Sequence, residues 1–524
     1  MKHTFNPTRG RCGSPERVEF SADPTGLPPV ASTLSHEVKG LVFGIAASLL
    51  LAGCSVGPNF KTPAPPEVAG YTPEPLKTTS RTPHLPGGAA QHFVSGGDIP
   101  GEWWKLFHSQ QLNDLIQISL SNNPTIASAQ AALKSARENV LAQRGPYYPN
   151  ISAGFSASRS KTSKQISPTP NNNSFYYSLF TPQVSVSYVP DVFGLNRRTM
   201  ESLKAQAEAA RFNLIATHIT LSANVAAAAI QEASLRGQIE ATRRLLVINS
   251  NMLQTLQAQF SKGYIGRLDL AAQQAQVAQV AASLPPLLKQ LEQQRHLLAA
   301  LAGGLPSQNP AGKFDLASLH LPDELPVSLP SALVEQRPDI RQAEATLHAA
   351  SAQVGVAVAN RLPNITLSGD VGTMAVEAGK IFAGGSGFWD LAGGITQPIF
   401  EGGTLLHQER AARAAYTQAA ADYRSTVLTA FQNVADSLSA LKEDADALKA
   451  AAAARDAAKA ALDLGEKQYH AGYAGYLSVL TAEQTYQQAL ISLVQAQADR
   501  YADTAALFQA LGGGWWHRAD LTKN

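Results

Sequence analysis

The thiol of Cys54 is the one side chain in this 524-residue sequence that is set up for covalent chemistry. Residues 40–51 are apolar apart from Ser48, follow Lys39, and run into Leu51-Ala52-Gly53-Cys54. An apolar run of about 12 residues falls short of the roughly 20 that a bilayer-spanning helix needs. It suits the core of a secretory signal peptide instead. Small residues ahead of the cysteine admit a signal peptidase, and the sulfur can then take a lipid. This reads as a bacterial lipobox, with a covalent diacylglycerol and an N-acyl chain expected on Cys54. Ser55 stands where an aspartate would retain a lipoprotein at the inner membrane, so lipid-anchored delivery to the outer membrane is expected. Residues 1–35 have no place in such a signal and read as an upstream extension. Cys12 then drops out, and two cysteines in all exclude a disulfide framework or a cysteine-rich metal site.

No other chemistry is legible. The sequence lacks a His-Glu-x-x-His pair and a phosphate loop. The 12 histidines are scattered without ligand spacing, and His407-Gln408-Glu409 and His470 read as helix surface. A net charge of +2 with only 16% charged residues gives no basic face for nucleic acid. An enzyme, a metal protein and a nucleic-acid binder are all disfavoured.

The elements that remain are written twice. Pro124 and Pro149-Asn150-Ile151 bracket a helical stretch, and Pro338 and Pro363-Asn364-Ile365 bracket another of the same length. Ala129, Ala131, Leu133 and Ala136 recur as Ala343, Ala345, Leu347 and Ala350. Gly263-Tyr264-Ile265-Gly266-Arg267-Leu268 recurs as Gly472-Tyr473-Ala474-Gly475-Tyr476-Leu477, and Leu301-Ala302-Gly303-Gly304 as Ala510-Leu511-Gly512-Gly513. Duplication at this scale predicts a symmetric assembly rather than a single pocket. Ahead of the first copy, the prolines between residues 58 and 100 forbid helix and favour extended chain. That stretch is either a tether along the body or a floppy linker.

Each copy carries a strand hairpin, at about 150–190 and 364–398, with alternating apolar and polar residues. Four strands cannot close a membrane barrel, because lipid leaves no partner for an open edge. Either the strands form a soluble sheet or the barrel is shared, with eight strands from two chains or twelve from three. Long helical stretches follow, about 196–262 and 404–471, each reaching roughly 100 Å at full length. Ile239, Leu246, Leu253 and Phe260 recur every seventh residue as a coiled-coil seam requires. Their counterparts are Leu448, Arg455, Leu462 and Tyr469, where Arg455 breaks the seam. The rods must reverse at Gly263…Gly266 and Gly472…Gly475, since glycine tolerates the left-handed backbone of a tight turn. Pro285-Pro286 predicts a kink in the first returning helix only.

Together these residues resemble the outer membrane factor (TolC-like) family, and within it the NodT/OprM-type efflux lipoproteins. The resemblance covers residues 40–516. It rests on Leu51-Ala52-Gly53-Cys54-Ser55-Val56-Gly57-Pro58-Asn59-Phe60, on Trp103-Trp104-Lys105-Leu106-Phe107, on Asn123-Pro124, on Leu329-Pro330-Ser331-Ala332-Leu333-Val334-Glu335-Gln336-Arg337-Pro338-Asp339-Ile340, and on Ala510-Leu511-Gly512-Gly513-Gly514-Trp515.

The resemblance implies a mainly α chain with a small β part. Three protomers would share a twelve-stranded transmembrane β-barrel, four strands each, above a long coiled-coil α-helical barrel. The expected division is 1–53 extension and signal peptide, 54–100 lipidated tether, 101–310 first repeat, 311–516 second repeat, and 517–524 tail. The implied function is a passive outer membrane duct of a tripartite efflux system, with no catalytic residues and no cofactor beyond the acyl chains. Implied partners are two further copies, a periplasmic adaptor, an inner-membrane pump of resistance-nodulation-division type, and outer membrane lipids. Gly263, Tyr264, Ile265, Gly266 and Leu268, with Gly472, Tyr473, Ala474, Gly475 and Leu477, look like the adaptor-contact tips. Asp269 and Tyr469 match the carboxylate and tyrosine that hold such channels shut. Ser478 and Thr481 replace the aspartates of TolC, which weakens an acidic ring from the second repeat. The alternative is a periplasmic helical scaffold or adaptor-like lipoprotein without a channel, although an adaptor has one helical hairpin and this chain has two.

Overall fold

The computed structural model describes residues 55–161, 176–308 and 312–522. Cys54, the signal sequence and the Asn171-Asn172-Asn173 loop lie outside the described residues.

The proline-rich segment is a strap held at both ends. Near its start Arg198, almost fully buried, donates to the Val56 carbonyl (2.8 Å), the Gly57 carbonyl (3.3 Å) and Asn59 Oδ1 (2.8 Å). Further along, the fully buried guanidinium of Arg500 donates to the carbonyls of Gly87 (3.3 Å), Ala89 (3.1 Å) and Leu441 (2.9 Å). A buried cation needs every donor used, and here the otherwise irregular segment supplies most of the acceptors, largely backbone carbonyls. The segment ends in β1 (His92–Ser95).

A short 3-10 turn then buries Trp103, Trp104 and Phe107, with Trp103 stacked on Phe508 at 5.4 Å. Helix α1 (Gln110–Asn122) is capped by Ser109, whose hydroxyl accepts from the Leu112 amide at 3.3 Å. Helix α2 (Pro124–Ala142) starts with proline at its first position and Asn123 as its cap, accepting from the Thr125 amide at 2.9 Å. Strands β2 (Asn150–Lys161) and β3 (Tyr176–Tyr188) follow. Next comes α3 (Leu195–Ser261), 67 residues long, and α4 (Arg267–Leu301), which stays one helix past Pro285-Pro286. The second copy opens with β4 (Glu324–Val327), α5 (Pro330–Gln336) and α6 (Pro338–Ala359). It continues through β5 (Asn364–Thr373) and β6 (Gly387–Thr396) into α7 (Thr404–His470), also 67 residues, and α8 (Tyr476–Ala510). A last turn, α9 (Ala519–Thr522), closes the described chain.

Two sheets form. β1 and β4 pair in parallel, His92 against Glu324; neither short strand, one of them carrying Pro326, stands out in the sequence. The other sheet runs β2-β3-β5-β6, every neighbour antiparallel. The Arg337-Pro338-Asp339 motif is structural: Arg337 donates through Nε and Nη2 to the two carboxylate oxygens of Asp339, and through Nη1 to the Ala510 carbonyl at 2.7 Å.

The expected seam of α3 is corrected by four residues, about one turn, although Ile239 of the expected set is also buried. Leu235, Thr242, Asn249 and Leu256 are the buried heptad positions, whereas Leu246 and Leu253 are half-buried and Phe260 is exposed. Near the tip α3 packs against both α4 and α8, so its buried face turns toward the gap between them. In α7 the expected seam holds: Leu448 and Leu462 are buried, and Arg455 and Tyr469 are half-buried along the same line.

Candidate functional site

The four-stranded sheet has two chemically distinct faces. Register places Ile151, Ala153 and Phe155 of β2 opposite Val186, Val184 and Pro182 of β3. Leu367, Gly369 and Val371 of β5 continue that face, opposite Gly393, Leu391 and Trp389 of β6. Trp389, Leu391 and Ile395 are 73–80% exposed in the single chain, which water would penalise and lipid would not. The opposite face carries Ser152, Ser156, Gln183, Ser185, Ser187 and Asp370. Asp370 accepts from Gln183 at 3.2 Å and from Ser185, and stands directly across from Asp390. Among the described residues, strands β2 and β6 keep their outer edges unpaired. In hydrocarbon such edges must find partners.

At the far end of the rods the two repeats make the same turn. Gly263 and Gly472 both adopt φ of +77°, following Lys262 and Ala471 at the helix ends. The Gly263 amide donates to the Phe260 carbonyl (2.9 Å) and the Tyr264 amide to Gln259 (3.0 Å). The Gly472 amide donates to Tyr469 (3.0 Å) and the Tyr473 amide to Gln468 (2.9 Å). These are Schellman caps, which satisfy the last carbonyls and need a left-handed residue. Gly266 and Gly475 differ from the expectation: both have ordinary negative φ, near −79° and −77°, and open space where a Cβ would stand. Among the described residues nothing demands glycine there. Tyr264, Leu268, Tyr473 and Leu477 project outward, 70–87% exposed, while Ile265 and Ala474 turn partly inward.

Asp269 and Tyr469 come to the same tip, both half-buried. Burial, then the charge of Asp269, raises the Tyr469 phenol above its ordinary range. The Tyr469 hydroxyl itself donates to Gln259 Oε1 at 3.1 Å, and its ring stands edge-on to Tyr476 at 5.6 Å. Behind this pair lies a polar layer that the sequence reading passed over. Tyr476 donates to Gln273, whose amide donates to the Asn249 carbonyl at 2.8 Å, and Gln484 donates to Gln276 at 2.9 Å. Glu483 sits within it, 2% exposed. The missed signal was positional: Tyr476, Val479, Leu480, Glu483 and Tyr486 follow one helix face, so the glutamate occupies a core position.

At the other end, the Val56 amide donates to the Phe193 carbonyl at 3.2 Å, and Ser55 sits where a Cβ on Gly194 would stand. The residue after Cys54 therefore lies between the end of β3 and the start of α3.

Comparison with known proteins agrees with these features. The outer membrane efflux protein family matches residues 115–304 and 329–513. The chain is 29% identical over 475 residues to the pyoverdine export outer membrane protein OpmQ of Pseudomonas putida, covering 89% of this chain and 96% of that one. Among solved structures it resembles the outer-membrane channel OprN, with a TM-score of 0.78 and 27% identity over 88% of this chain and all of that one. It also resembles the open state of the Neisseria gonorrhoeae MtrE outer membrane channel, with a TM-score of 0.74 and 28% identity over 88% of this chain and 99% of that one. The fold, a helical barrel with a β-barrel, is the one that these channels share. With a polar-lined sheet at one end and paired helical turns at the other, the chain belongs to the outer membrane efflux protein family and is an outer membrane channel of an efflux system.

Proposed function

We propose that three copies of this chain build one duct. Each would give β2, β3, β5 and β6 to a twelve-stranded barrel, and α3, α4, α7 and α8 to the tube beneath it. The observation that carries this reading is the sheet: an apolar face, a polar face and two unpaired edges make sense only where neighbours complete the barrel. Outer membrane efflux channels work with an adaptor and a pump. For this chain the tips at 263–268 and 472–477 are the adaptor contact, supported by Gly266 and Gly475, which no internal packing explains. The pump we assign is of resistance-nodulation-division type, on the likeness of the Cys54 and Arg337 regions to that branch.

Cys54 carries the acyl chains in this reading, and an anchor where the strands end and the helices begin is supported by Ser55 lying beside Gly194. Asp269 and Tyr469 are the gate candidates, three of each around the axis, with the carboxylates favouring cations in the pore. The test is direct. The purified lipidated protein should run as a trimer and conduct ions in planar bilayers, whereas a non-conducting monomer would leave only the scaffold alternative.

A further inference from the structure

We propose that Glu483 is a proton-operated latch on the tip end of the helical tube: neutral, it lets α3, α4, α7 and α8 pack together, and ionised, it loosens them. Glu483 lies two turns into α8 on the face shared by Tyr476, Val479 and Leu480, and it is 2% exposed. Among the described residues neither of its carboxyl oxygens has a hydrogen-bond partner. The donors around it are engaged elsewhere. Gln273 donates to Asn249, Gln484 to Gln276, and Tyr476 to Gln273.

The charges facing it make ionisation harder. From α7 the carboxylate of Glu466 acts on it, and the nearby lysine of that helix, Lys459, is paired with Asp463 at 2.5 Å. The buried polar residues of α3 and α4 that bond among themselves or to the neighbouring Tyr476 and Gln484 of α8 are Asn249, Gln273 and Gln276, all uncharged. On its own helix Tyr476 is held neutral by burial first and by the carboxylates of Glu483 and Asp269. A buried carboxylate with no partner and a like charge beside it strongly disfavours the charged form. Burial, then Glu466, raises the Glu483 carboxyl to about 7.

The direction follows. With its pKa raised in the packed state, the latch contributes full stability below the ordinary carboxylate range and loses it as pH rises through about 7. Between pH 5 and pH 8 the opening equilibrium at this level should rise on the order of fiftyfold. The latch goes beyond the tip-and-gate reading and rests on it only for its consequence in transport.

The experiment is hydrogen exchange on the full-length protein in lipid nanodiscs, followed at the amides of residues 476–486 from pH 5 to pH 8 and corrected for intrinsic rates. Protection should fall some tens-fold in the native protein and stay flat in Glu483→Gln, which keeps the shape and cannot ionise. The control Asp269→Asn should respond like the native protein. Infrared difference spectra between the native protein and Glu483→Gln should show a carboxylic-acid band near neutral pH from Glu483, since the contribution of Asp444, which burial and then Asp503 also raise to about 7, is common to both and cancels. A Glu483→Gln protein that titrates like the native one, an Asp269→Asn protein that does not titrate, or the absence of that band would overturn the latch. Conductance separates the two readings: protection that responds to pH while conductance does not keeps the latch and removes this end as the gate.

Discussion

At the scale of single residues, the paired glycines of each tip divide between two demands. Gly472 is required by the backbone, because φ of +77° strains any residue with a Cβ. Gly472→Ala should therefore cost about 1–2 kcal/mol, read as a lowered midpoint in thermal unfolding. Gly475 has no such demand and open space around it. Gly475→Ala should leave the unfolding midpoint unchanged and weaken crosslinking to the adaptor, if the tip is the contact. Arg500 is the strictest case. Replacing it with methionine leaves the carbonyls of Gly87, Ala89 and Leu441 without their donor. A loss of about 2–4 kcal/mol is expected, with residues 79–91 becoming sensitive to protease.

At the scale of elements, β6 separates lipid from lumen one residue at a time. Leu391 sits on the apolar face and Asp390 on the polar one. Leu391→Arg should destabilise the folded barrel by about 2–4 kcal/mol, measured by urea unfolding in lipid vesicles, while Asp390→Asn should leave it unchanged. Both faces were legible in the sequence, because strand side chains alternate and the alternation survives in Val184, Val186 and Tyr188. The rods were legible too, ending at Ser261 and His470, one residue short of the expected 262 and 471. The seam of α3 was not. Its apolar residues are dense enough to support two registers, and the choice is made by α4 and α8, which contact it from elsewhere in the chain. Glu483 stayed hidden for a related reason: a glutamate in a helix reads as surface until the faces of its neighbours are known. The parallel pair β1 and β4 lacks periodicity altogether, being four residues long and far apart in sequence.

At the scale of the whole molecule, the duplication extends to matching hydrogen bonds. Gly304 donates to Ala299 as Gly513 donates to Phe508, both at 2.8 Å, in the caps that end α4 and α8. The copies diverge where their surroundings do: Glu483 of α8 is matched by no carboxylate in α4, where Gln274 occupies the equivalent place after the turn. Anchoring is separable from this architecture. Cys54→Ser should abolish incorporation of labelled palmitate while the strap stays in place, since Arg198 holds Val56, Gly57 and Asn59 without help from the cysteine.

The strap also sets the mechanics of the rods. Its fastenings run from Arg198 at the strand end of α3 to Arg500, Asp446 and the Leu85–Leu448 cluster. Between Leu448 and the turn at Gly472, α7 extends roughly another 35 Å with no described strap contact. With respect to the strap, α7 is thus a cantilever, clamped along one part and unclamped along the other, where it packs only on its neighbouring helices. A lateral load applied at the tips produces its greatest bending moment at the last clamp, far from where the load acts. A stiffness graded along the length in this way would let small displacements at the tips be absorbed without disturbing the strands.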